Sequence, residues 1–356
     1  MNDNIFDLYA DYLLSSFGLT TATGLSSVLN GLISHDKITR MLSGQPKTSA
    51  DLWFTVKPLI RQIESSDGVL IIDDSISEKP YTDENDIICW HYDHCKGISV
   101  KGINFMTALY SVRNIALPAG FQLVAKTEYY TDPKTGKTKR RCPVPKNQYC
   151  REMIKQAAVN QIPFCYVLTD VWFASAENMM FIKHEVKKDF VMPVKTNRNI
   201  AMSYDDKRQG RYVRADKVVF MTDTPVEIFL EDTDFPMLMV RQVFTNKDGS
   251  TGILYLVTGD TGMTYEQITA TCRKRRNVEC YHKSLKQNAS LEKSPTQTVR
   301  TQTNHFFASV CGYIKLEIFK NSSKLNHFAM KAKIYTNALQ TAFAELQKLQ
   351  LLKLSA

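Results

Sequence analysis

Apolar positions at helical spacing open the chain. "DLYADYLLSSF" (7–17) repeats every three to four residues, and "GLISHDKITRMLSG" (31–44) carries a Ser34 start signal and a Gly44 stop. From residue 68 the period changes, and "GVLIIDD" (68–74), "INFMTALYSV" (103–112) and "FQLVAKTEYY" (121–130) read as strands. A helix at about 148–160, the strand "FCYVLTD" (164–170) and a helix starting near "SAENMMFIKHEVKK" (175–188) complete a mixed α/β layer. Residues 189–258 break that rhythm with five strand-like runs and the turn signal "NKDGS", so a separate β-rich insertion of about 70 residues is expected. "TYEQITATCRKRRNVECYHKSLKQ" (264–287) then reads as one long helix, followed by helical segments at 299–321 and 328–353.

These patterns predict five stretches: a helical region at 1–62, a core at 63–188, the insertion at 189–261, the rest of the core at 262–325 and a helical tail at 326–356. A short helix bearing His35, Lys37 and Arg40 after a tight connection fits the recognition helix of a helix-turn-helix, and fits a solvated surface helix equally well.

Charge then narrows the partner. Lys and Arg outnumber Asp and Glu by 45 to 36, a net +9 over 356 residues, which favours a polyanion, nucleic acid first. A basic housekeeping enzyme would show the same excess. No apolar run approaches the roughly 20 residues of a membrane span, and "MNDNIFDLYADYLL" lacks a basic start and a cleavage site, so an intracellular protein with no membrane partner is expected. The eight cysteines form no framework and read as reduced thiols.

Three carboxylates carry the candidate chemistry. Asp73 and Asp170 terminate core strands, and Glu279 lies in the long helix. Convergent carboxylates repel unless cations hold them, and two Mg²⁺ ions, with Mn²⁺ as a substitute, are natural occupants of an all-oxygen site. At 100° per residue Arg275, Glu279 and Lys286 share one helix face, with His282 at its edge, a stripe suited to a scissile phosphate. A solvated, salt-bridged helix is the competing reading. The basic stretch with Lys134, Lys137, Lys139, Arg140 and Arg141 reads as a loop, either a hairpin tip or a phosphate clamp.

"CWHYDHC" places Cys89, His91, His94 and Cys95 together, but no second ligand pair supports zinc; a structural edge is expected, with His94 and Lys96 facing DNA. Trp172 is open between base stacking and core packing. Arg300 and His305 are open between phosphate contacts and capping or surface roles. No Gly-rich phosphate loop is present, and no cysteine stands out as a hydrolase nucleophile.

These residues resemble a family. The chain looks like a cut-and-paste DDE transposase of bacterial insertion sequences, in the group with a Tyr-Arg-Glu-Lys signature helix. Arg275, Glu279 and Lys286 match that signature in type and spacing, "LTDVWFAS" resembles the second-acid strand and "LIIDDS" the first. Cys272 stands where the signature has Tyr. The resemblance covers about 65–320 and implies an RNase H-like core with Asp73, Asp170 and Glu279 as catalytic, metal-binding carboxylates. In such cores the first acid is followed two positions on by a small hydroxyl residue, which Asp73-Asp74-Ser75 satisfies from Asp73, leaving Asp74 as fallback. It further implies Mg²⁺-dependent cleavage at terminal inverted repeats, a hairpin intermediate, strand transfer into target DNA by a homodimer on paired ends, and action at the nucleoid in a bacterial cytoplasm. Arg275, Lys286, His282, Lys139, Arg140, Arg141 and Arg40 are the expected DNA contacts. A non-transposing nuclease and a catalytically silent DNA-binding derivative are the rival readings.

Overall fold

Four helices lead the chain: α1 (Asn2–Ser15), α2 (Ala22–Val28), α3 (His35–Leu42) and α4 (Ser49–Ile63). The computed structural model describes residues 2–94, 96–221, 223–245 and 248–354. Ser34 caps α3 as its sequence signals, its side chain accepting from the Lys37 amide. Next come β1 (Val69–Glu78), β2 (Ile88–Asp93), β3 (Ile98–Val112), β4 (Ile115–Leu123), β5 (Glu128–Thr131) and β6 (Thr138–Arg141). After α5 (Lys146–Val159) and β7 (Tyr166–Thr169), α6 (Ala176–Met180) runs on as a π-helical turn, Phe181–Val186, into β8 (Asp189–Val194).

The segment expected as an insertion holds β9 (Asn199–Ala201), α7 (Tyr204–Arg208), β10 (Val213–Arg214), β11 (Val226–Leu230), β12 (Met237–Thr245) and β13 (Thr251–Thr258). Helices α8 (Tyr265–Arg273), α9 (Arg276–Gln287), α10 (Val299–Ser323) and α11 (His327–Leu354) close the chain.

The chain divides into two compact units, one of residues 1–48, 76–103 and 280–356, the other of 49–75 and 104–279. In the second unit the strands run β10-β9-β11-β12-β13-β8-β7-β1-β3, with β4 also on β3. The β7 strand pairs in parallel with both β1 and β8. The central strands are buried on both faces and read as continuous apolar runs rather than alternating ones. The segment 189–258 is therefore not a separate layer, because β8 and β13 bond its strands into the core sheet. Its apolar runs looked independent only because sequence carries no pairing information.

The 1–62 region is likewise not one body. Helix α4 belongs to the second unit, where the Ser49 hydroxyl bonds both backbone groups of Phe121 on β4. Helices α1 to α3 belong to the first unit, with Ile5, Tyr9, Leu13, Leu25, Ile38 and Leu42 clustering around Ala308 of α10. A polar seam fixes the start of α11 there. Glu317 is 4% exposed, accepts from Tyr313 and pairs with Lys320, while His327 reaches both Glu317 and Ser284.

The stretch read as a possible metal knot forms β2, antiparallel to the Ile98–Ile103 part of β3. Alternation buries Cys89 and His91 and exposes Trp90 and Tyr92. The Cys89 thiol donates to the Asn85 carbonyl, and Cys95 lies outside the described residues. Lys96 pairs with Glu78. In the same unit Gly102 lets strands approach closely, since an added Cβ would lie 2.3 Å from the Ser77 carbonyl oxygen.

Candidate active site

Two strands place the first two carboxylates side by side. The parallel register of β1 and β7 ends at Ile72 opposite Thr169, so Asp73 and Asp170 occupy the next matching positions. Neighbouring strands lie about 4.8 Å apart, which sets these side chains against one another on one face. Strand β1 does not stop at the aspartates as expected; it continues to Glu78, and only the pairing with β7 stops.

The neighbourhood holds like charges close together and largely out of water. Asp73 is 9% exposed, and burial, then the Asp170 charge, raises its carboxyl from the ordinary 3.8 to about 7, against the opposing pull of Arg275. Asp170 is raised as well, first by burial, while the Trp172 amide at 2.9 Å stabilises its charge and the Asp74 charge opposes it.

Strand alternation sends Asp74 the other way, where its Oδ2 takes bonds of 2.7 Å from both Lys146 and Asn104. Sequence reading missed these two partners. An Asn in the buried part of β3 and a Lys opening α5 were the available signals.

The third carboxylate arrives through an arginine. The long helix expected over 264–287 is two helices, broken at Lys274-Arg275 by short bonds from the Lys274 amide to Thr271 and the Arg275 amide to Cys272. Arg273 thereby lies in the last turn of α8 and Glu279 in the first turn of α9, each matching the helix-end charge it faces. The Arg275 guanidinium lies 2.8 Å from Glu279 and 3.7 Å from Asp73, linking the two acids. Glu279 is otherwise open, with 55% of its side chain exposed.

Among the described residues no group of three or more His, Cys, Asp or Glu side chains is gathered to enclose a metal ion. Arg275 occupies the place between Asp73 and Glu279. The donor chemistry nonetheless fits a hard divalent cation, because Asp73 and Asp170 offer adjacent carboxylate oxygens whose mutual repulsion a cation would relieve.

The other expected contacts divide. Arg40 is exposed on α3, as are His35 and Lys37, while Ile38 and Leu42 are buried. Lys139, Arg140 and Arg141 are on strand β6 of a two-stranded ribbon rather than in a loop. There Lys139 pairs with Asp132, Arg141 with Glu128 at 2.9 Å, and Arg140 stacks over Tyr129 at 4.8 Å. Lys286 donates to the Ile76 carbonyl at 2.7 Å and approaches Glu292.

His282, expected to contact DNA, is 8% exposed and packs against Tyr281. His305 is 1% exposed and bonded to Tyr9 and to the backbone of Ser290 and Leu291, so it is a core residue and neither a phosphate contact nor a surface group. Trp172 is half exposed with Lys195 over its ring at 5.2 Å, and both line a cavity of about 410 Å³ with Arg198, Glu231 and Asp232.

Comparison with known proteins now bears on this geometry. A family model described as DDE superfamily endonuclease matches residues 6–226, well over half of the chain. The chain belongs to the DDE superfamily endonucleases. The matched span of this DDE endonuclease contains Asp73 and Asp170 and ends before Arg275 and Glu279. Membership agrees with the mixed α/β, RNase H-like architecture and supports a nuclease or transposase type of function. No curated protein matches the chain. Among solved structures, an Argonaute of Kluyveromyces polysporus with a guide RNA overlaps 78% of this chain and 31% of its own, at 10% identity and TM-score 0.22, too slight a likeness to bear on fold or function. Among the described residues, no helix is long and apolar enough to cross a membrane.

Proposed function

We propose that this DDE endonuclease is a transposase that cleaves DNA at the inverted-repeat ends of an insertion sequence and joins the released 3′-hydroxyl to target DNA. The observation that carries this reading is the pair Asp73 and Asp170 at adjacent register on parallel strands, with Glu279 tied to Asp73 through Arg275. Asp73, Asp170 and Glu279 would hold two Mg²⁺ ions, which when bound activate an attacking oxygen and stabilise the leaving oxygen of a phosphodiester.

The chain's own groups do the rest. Asp74, held by Lys146 and Asn104, fixes the β1 backbone and so the direction of Asp73. Arg275 supplies a cation beside the acids for the scissile phosphate. Arg40 on α3 and the β5–β6 ribbon supply further cations for the DNA backbone, consistent with the net charge of +9. A homodimer on paired ends accounts for the joining of two ends.

A duplex carrying a pre-cut 3′-hydroxyl end tests the reading. With Mg²⁺ and a target plasmid, a transposase joins that end to the target and Asp170→Asn does not. Cleavage of uncut DNA with no joined product from the pre-cut end would reduce the protein to a nuclease.

A further inference from the structure

Arg275 holds a position that a bound cation would contest. Its Nη1 lies 3.7 Å from Asp73 and its Nη2 2.8 Å from Glu279, with 28% of the side chain exposed. Among the described residues, the ion pairs of both acids are to this one guanidinium. An i to i+4 pair alone would hold Arg275 on Glu279; the reach to Asp73, on another element, is what sets it between the acids. Lys146 is committed instead to Asp74, which points to the other face of β1.

The backbone on either side of Arg275 is pinned. Lys274 donates to the Asp67 carbonyl, just ahead of β1, at 3.2 Å. The Asn277 side chain donates at 2.7 Å to the hydroxyl of Ser111, a buried residue of β3, and Val278 is fully buried. The start of α9, and Glu279 with it, is therefore fixed against the neighbouring strands β1 and β3. For the guanidinium to leave the acids, only its own side-chain torsions need change.

We infer that Arg275 is a latch: without DNA it satisfies Asp73 and Glu279 in place of a divalent cation, and a DNA phosphate draws it off and opens the acids to metal. The inference rests on the proposed function of this site. Carboxylate and phosphate both match the planar fork of a guanidinium, so Arg275 can exchange one for the other. A divalent cation on the same oxygens would sit beside a positive charge, and the two repel most where water is scarce. Asp73 is 9% exposed, so that condition holds. DNA and cation then favour each other's binding by the same factor in either order.

Titration of Mn²⁺ alone into the full chain, with free ion followed by electron paramagnetic resonance, tests the latch. Arg275→Gln should bind Mn²⁺ at least about tenfold more tightly than the wild type, since a charged, hydrogen-bonded competitor is gone. Arg276→Gln removes an equal charge from the next, exposed side chain and should stay within about twofold of the wild type. Adding Asp73→Asn to Arg275→Gln should erase the gain. Saturating duplex DNA, after subtraction of Mn²⁺ held by the same DNA alone, should tighten Mn²⁺ binding to the wild type at least about fivefold more than to Arg275→Gln. Equal affinities of the wild type and Arg275→Gln, both lost with Asp73→Asn, would overturn the latch and leave the metal site standing. No Mn²⁺ binding by either protein, with DNA or without, would overturn the metal site and the latch together.

Discussion

His305 carries a pH-dependent share of stability that the structure makes calculable. Its ring is 1% exposed and bonded to the Tyr9 hydroxyl at 3.0 Å and to the Ser290 and Leu291 carbonyls at 3.1 and 3.2 Å. Burial, then the charge of Lys79, lowers its pKa from 6.5 to about 3. The folded state holds the ring neutral where the unfolded chain protonates it. This contribution is complete above pH 6.5 and is lost as pH falls from there toward about 3. At about 1.36 kcal/mol per pH unit, lowering the pH from 7 to 5 removes about 2 kcal/mol.

Other groups titrate over the same range. His327, lowered to about 4, acts in the same direction, and Asp73, raised to about 7, acts oppositely. The informative quantity is therefore the difference between the wild type and His305→Gln. Urea unfolding followed by circular dichroism at pH 5 and 7 should show the wild type losing about 2 kcal/mol more than the variant over that interval. The variant should be less stable at pH 7 by about 1–3 kcal/mol, because one partner loses its bond. Equal pH dependence in the two proteins would refute a buried neutral His305.

Further outcomes follow from other parts of the molecule. Asp73→Asn removes one of two repelling carboxylates, so without metal the variant should melt higher than the wild type, by about 1–2 kcal/mol of stability; saturating Mg²⁺ should raise the melting temperature of the wild type only. An equal response to Mg²⁺ in both would deny the cation to this pair. Gly102→Ala puts a methyl group against the Ser77 carbonyl and should cost about 1–3 kcal/mol by thermal melting. Replacing Lys139, Arg140 and Arg141 with Ala should weaken DNA binding and make the slope of log affinity against log salt shallower, by up to about 0.9 for each phosphate no longer neutralised, read by titration at several salt concentrations.

Sequence pattern and physical structure agree where local chemistry decides. Ser34 capped its helix as read, and the apolar run into Asp73 became a buried strand. Asp73 could be separated from Asp74 because strand alternation is local, and the structure gives Asp74 its own partners in Lys146 and Asn104. What sequence did not reveal was long-range pairing. It could not show that β8 and β13 join the later strands to the core sheet, or that α4 leaves the N-terminal helices. His282 and His305 looked available because both lie among polar residues, yet their helices turn them inward. The break at Arg275 was hidden as well, for no Gly or Pro marks it.

The central claim is that Asp73, Asp170 and Glu279 act as one catalytic set, and cleavage by single isosteric variants tests it most directly. Glu279→Gln is the decisive case, since that residue meets the others only through Arg275. With inverted-repeat DNA and Mg²⁺, Glu279→Gln should bind as the wild type does and cleave at least about a thousandfold more slowly, as should Asp73→Asn and Asp170→Asn. Cleavage by Glu279→Gln at the wild-type rate would contradict the account.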